Sequence, residues 1–110
     1  MKLDNNTIDY FLSKSSFIGL LTLYFIKLRY DNKQAFNKDD LEKIHTGDYT
    51  YGYFVACSAF GLIEHTSNNN IINITFLNEY FSSKVYEKLL EKANNHDKTW
   101  VDDINRIENI

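Results

Sequence analysis

The chain has 110 residues, 44% hydrophobic and 15% aromatic, and a formal net charge of −3. That is enough for one domain with its own core and excludes a disulfide-stapled miniprotein, since Cys57 is the single cysteine and fits a reducing compartment. The acid excess opposes non-specific attraction to nucleic acid or anionic membrane. The opening stretch, "MKLDNNTIDY", is polar and acidic and does not read as a signal peptide. Asp4 to Thr7 offer N-caps ahead of Ile8, Tyr10, Phe11 and Leu12, which predicts a short first helix. Ser15 or Ser16 can cap a second helix, "FIGLLTLYFIKLRY", apolar on every face until Lys27 and Arg29. The Ser-Lys-Ser-Ser stretch between them fits either two helices or one bent helix. The longest apolar run, Phe17 to Ile26, has ten residues, whereas a bilayer requires roughly 20. A central buried helix in a cytoplasmic protein is expected, with no membrane span.

"DNKQAFN" breaks the helical pattern. Asn37 is then a good N-cap for "NKDDLEKIH", where Asp39, Asp40 and Glu42 suit the positive end of a helix dipole and Leu41 and Ile44 face inward. A helix of about two turns is predicted there. Gly47 marks a turn, Asp48 or Thr50 caps a third helix through Phe60, and Gly61 stands where a helix-ending residue belongs. "LIEHT" and "IINITF" flank "SNNN" and predict a β-hairpin. From Asn78 the period is helical again, with Val85–Leu89 and Tyr86–Leu90 on one stripe and charges opposite. Thr99 with Asp102 resembles a capping box. It opens a last amphipathic helix bearing Trp100, Val101, Ile104, Ile107 and Ile110, which either folds back on the first helix or covers a twin subunit.

The order of helix, short capped helix, turn, helix, Gly, strand, polar tip, strand and helix resembles the winged helix-turn-helix superfamily, in particular its MarR-like and ArsR-like branches. "NKDDLEKI" and "YTYGYFVACSAFG" correspond to the two helices of the turn motif, and "LIEHTSNNNIINITFL" to the wing. The resemblance implies an α+β, mostly helical, single winged-helix domain over 1–110. The helix-turn-helix lies at about 37–60, the wing at about 62–76 and the C-terminal helices at about 78–109. It also implies groove-facing positions at Asp48, Tyr49, Thr50, Tyr51 and Tyr53, and a wing tip at Ser67, Asn68, Asn69 and Asn70.

These residues depart from a DNA reader. Base readout favours Arg, Lys, Asn and Gln, and phosphates need cations. No charged residue stands between Tyr51 and Ile63, and the wing tip has no cation. Lys27, Arg29, Lys33, Lys38 and Lys43 are the local basic cluster, interleaved with acids. Two readings follow. The leading one is a non-catalytic protein that binds a protein partner as a regulator, inhibitor or immunity-type protein. It would use Asp48, Tyr49, Thr50, Tyr51, Tyr53 and Asn68 to Asn70, because tyrosines are enriched at interfaces. The alternative is a DNA-binding transcriptional regulator with phosphates held by Lys33, Lys38 and Lys43. A homodimer through the terminal helices is a further expectation.

Chemistry has little to start from. His45, His65 and His96 are isolated, so neither a metal site nor a cofactor is expected. Cys57, among Ala56, Ser58 and Ala59, reads as a buried structural thiol. Asp39–Asp40 and Asp102–Asp103 read as dipole partners in first turns rather than as catalytic carboxylates.

Overall fold

A computed structural model describes residues 4–94 and 99–110, with only the backbone described at positions 99 and 100. Two helices open the chain, α1 at Asn5–Lys14 and α2 at Phe17–Asp31. They are separate, because Ser15 is extended and Ser16 caps α2 by accepting from the Gly19 backbone N–H. Asp4 caps α1 in the same way, accepting from Thr7. α2 buries every residue from Gly19 to Ile26 and packs against later elements of the chain, so its all-round apolar sequence places it at the centre.

After α2 comes a two-residue strand, β1 at Phe36–Asn37. Asn37 then caps Lys38–Lys43, accepting from the Asp39 N–H while Asp40 accepts from the Asn37 N–H. The short helix expected here is present and is a 3₁₀ helix. At its end Ile44 bonds back three residues to the Leu41 carbonyl. Gly47 turns the chain at φ 91° into α3, Tyr49–Ala59. Neither expected cap works through its side chain. Asp48 makes no cap hydrogen bond, and Thr50 turns inward to donate to the Leu41 carbonyl at 3.2 Å.

α3 ends where Gly61 predicts. With φ at 79°, Gly61 donates to the Ser58 carbonyl and Leu62 to the Cys57 carbonyl, both at 3.1 Å, which is the Schellman pattern. The hairpin follows as β2, Ile63–Asn68, and β3, Ile71–Leu77. Its tip is narrower than the sequence suggests: Ser67 and Asn68 belong to β2 opposite Ile72 and Ile71, leaving Asn69 and Asn70 as the turn. Asn69 takes the left-handed conformation, at φ 57°, that asparagine tolerates. β1 pairs with the far side of β3, giving an antiparallel sheet in the order β1-β3-β2.

α4, Glu79–Asn94, is capped by Asn78. Its buried face is Phe81, Val85, Leu89 and Ala93, whereas Tyr86 is exposed with its ring 5.1 Å from that of Tyr24. α5, Thr99–Glu108, folds back on α2 rather than on α1. The Tyr24 hydroxyl donates to Glu108 at 3.1 Å, and Arg29 donates to the Ile110 carbonyl at 2.7 Å. Arg106 reaches the carbonyls of Lys43 and Ile44, tying α5 to the 3₁₀ segment. Ile104 and Ile107, the apolar face that could have met a twin, are buried inside the chain. His96 and the side chains of Thr99 and Trp100 lie outside the described residues. The architecture is α+β and mostly helical, and no described helix is long and apolar enough to cross a membrane.

Candidate functional site

α3 is fixed by three inward residues, Thr50, Phe54 and Cys57. Phe54 lies edge-on to Phe36 at 6.2 Å and beside the His65 ring at 4.7 Å, so β1 and β2 share its ring. Cys57 is fully buried, and burial pushes its thiol up to about 12, which leaves it protonated and structural. Among the described residues no cluster of His, Cys, Asp and Glu could hold a metal ion. Thr50, expected to face a ligand, is buried with its hydroxyl engaged, so its part is to hold the 3₁₀ segment against α3.

The remaining tyrosines divide between two sides of the helix. Tyr49 and Tyr53 are one turn apart with rings stacked at 6.2 Å, and both turn toward α1. Tyr49 pairs with the Ser16 hydroxyl at 2.7 Å, and Tyr53 with the Ser15 hydroxyl. Ser15 and Ser16 form the joint between α1 and α2, so the break in the first two helices is what brings α3 alongside. The Tyr53 ring crosses α2 at Gly19, where a Cβ would lie 2.8 Å from it. Burial raises the Tyr53 phenol above its ordinary value.

Between α1 and α3 runs an open groove of about 450 Å³. Phe11 and Tyr53, half-buried and 5.9 Å apart, form its floor, with Phe60 5.8 Å from Phe11 at one end. The rim is aromatic and exposed: Tyr10 at 66%, Tyr49 at 48% and Phe60 at 51%. Thr7 and Lys14 complete the α1 wall, and the Lys14 ammonium lies 5.6 Å from the centre of the Tyr10 ring. Lys14 is the one charged residue in the lining. The helix pattern around Tyr10 and Phe11 does not by itself point to the α1 half of this site. The signal was present as Thr7, Tyr10, Phe11 and Lys14, a second stripe at i, i+3, i+4 and i+7 beside the buried pair Ile8 and Leu12.

Tyr51 points the other way, toward the hairpin. The Lys38 ammonium lies over its ring at 4.1 Å, and the Lys38 backbone N–H donates to the Asn70 carbonyl at 2.7 Å. Lys38, Tyr51 and the Asn69–Asn70 tip therefore gather on the hairpin side, apart from Tyr49 and Tyr53. The basic cluster does not converge as free charge. Lys27 pairs with Asp31 at 2.7 Å, and Lys43 with Asp40 at 2.9 Å. Arg29 lies over Phe25 and is anchored at Ile110, while Lys33 occupies a left-handed turn position at φ 55°. Asp48 is exposed at the start of α3.

No protein-family profile, curated protein or solved structure matches this chain.

Proposed function

We propose that this chain is a non-catalytic, cytoplasmic winged-helix protein that binds a protein partner through the groove between α1 and α3. The observation that carries the reading is the exposure of Tyr10, Tyr49 and Phe60 together along one groove whose lining holds a single charged residue, Lys14. Large aromatic side chains that gain little from solvent are the usual anchors of protein interfaces, and charged groups are depleted at interface centres. The winged-helix part of the reading is supported by the capped 3₁₀ segment, turn, helix and hairpin in succession, with the hairpin leaving α3 through Gly61.

The test compares variants in a partner pull-down from the source cells. Tyr49→Ala and Phe60→Ala should each abolish capture that Tyr51→Ala retains. A partner held undiminished by both groove variants sinks the reading. The alternative, a DNA-binding regulator, draws on Lys38, Tyr51 and the asparagine tip, which do form one surface. Duplex DNA titrated at low salt separates the two. Binding that weakens steeply as salt rises and disappears in Lys33→Glu with Lys38→Glu would make DNA the primary ligand.

A further inference from the structure

The groove is a slot rather than a pit. Its α1 wall, Thr7, Tyr10, Phe11 and Lys14, follows the helix for two turns, and its α3 wall extends from Tyr49 to Phe60, roughly 16 Å at 1.5 Å per residue. Both walls are α-helices, whose backbone groups are bonded within themselves. An extended peptide laid in the slot would find no main-chain partners on either wall, so its backbone would gain nothing there beyond the water it already has. A helix carries its backbone bonds with it and presents only side chains. The single charge of the lining is the exposed Lys14, and it lies at the α1 end that adjoins Ser15 and Ser16. Resting on the protein-partner reading above, we infer that the occupant is an amphipathic helix of the partner, with apolar anchors at i, i+3 or i+4 and i+7 and a carboxylate that meets Lys14.

The bound arrangement is a three-helix packing in which α1 and α3 already stand in place and the third helix comes from outside. The anchors replace water over Phe11, Tyr53 and Phe60. Ser16 and Tyr49 bond each other across the joint, so the slot's Lys14 end is preformed. The acidic residue on the partner sets the direction in which its helix lies, because only one end of the slot carries a cation.

Two displayed peptide libraries test this on the full chain. One is a fixed single-helix scaffold randomised at the i, i+3, i+4 and i+7 positions and at one flanking end position. The other is a proline-interrupted linear library of equal length. The helical library should yield clones with apolar anchors and Asp or Glu at the end position. Their binding should fall by at least about tenfold in Tyr49→Ala and in Phe60→Ala. Acidic clones should lose about threefold against Lys14→Glu, the scale of an exposed ion pair, and selection on Lys14→Glu should return Lys or Arg at that position. Helical clones with no acidic preference, or binding unmoved by Lys14→Glu, overturn the inference and leave the groove reading standing. So does a linear library that outperforms the helical one with the same aromatic dependence. Clones indifferent to Tyr49→Ala and Phe60→Ala, or no clones from either library, overturn both. Circular dichroism of each variant separates lost binding from lost fold.

Discussion

Tyr49 and Tyr51 stand two residues apart on α3 and meet opposite surroundings. Tyr49, with Tyr53, faces α1 across a groove whose other members are aromatic rings, hydroxyls and the single cation Lys14. Tyr51 faces the hairpin, covered by the Lys38 ammonium and lying 6.3 Å from Phe54. The same residue type is thus an open contact surface on one side and a cation-covered ring on the other. What decides is the partner each face finds: a helix bent away at Ser15 on one side, a cap and hairpin tip on the other. Residue type alone does not identify a binding helix; the neighbouring elements determine which of its rings remain available.

The strongest way to break this division is to remove its common base. Phe54→Ala takes out the ring shared by β1, β2 and α3 and should cost about 3–5 kcal/mol, read by chemical denaturation, with both surfaces lost together. A smaller change should break one side only. Gly19→Ala places a methyl against the Tyr53 ring. Overpacking costs about 1–3 kcal/mol, while alanine regains up to about 1 kcal/mol as a helix former. Because Ser15 holds Tyr53, the net should be destabilising by about 1 kcal/mol. Groove ligands should weaken, and the Lys38–Tyr51 contact should persist in side-chain NMR.

On the hairpin side, Asn37→Ala removes the cap of the 3₁₀ segment and should cost about 1 kcal/mol. Its partner Asp40 adds a pH dependence. Burial raises the Asp40 carboxyl, but the Lys43 bond, the Asn37 N–H and the charges of Lys43 and Arg29 outweigh it and hold the group below its ordinary value. A depressed carboxylate stabilises above its unfolded value of about 4 and loses that contribution as pH falls through the folded value. Asp40→Asn should therefore flatten part of the stability loss measured below about pH 4. The smallest effect belongs to Lys38→Met. It uncovers Tyr51 at a cost of about 0.5–1 kcal/mol, the scale of an exposed cation–π contact. Groove binding should be unchanged, and a groove affinity that falls in this variant would show that the two sides are coupled.

Much of this arrangement was readable in the chain. Asp4, Ser16 and Asn37 act as caps at the ends of polar-to-apolar transitions, and Gly61 supplies a left-handed residue that ends α3. Those signals are local, so sequence carries them. β1 is not local. Two residues cannot announce a strand, and Phe36 and Asn37 become one only by pairing with Ile72 and Ile71. Thr50 was misplaced for a similar reason, since its inward turn depends on the Leu41 carbonyl nine residues earlier. The groove was half legible. The rings of α3 stood out, but the contribution of α1 required knowing that α1 and α2 part at Ser15 and that α3 settles in the angle.

The central place of α2 has a consequence for the chain as it is made. Phe17 to Ile26 leaves the ribosome before α3, β3, α4 and α5, the elements that cover it. Glu108, the residue bonded to Tyr24, is translated 84 residues later. At about 5–20 residues per second, the central helix of the protein waits roughly 4 to 17 seconds for its last neighbour. During that interval its apolar surface is covered only in stages while the chain is tethered to a translating ribosome, the state in which nascent chains are most open to self-association and to capture by chaperones.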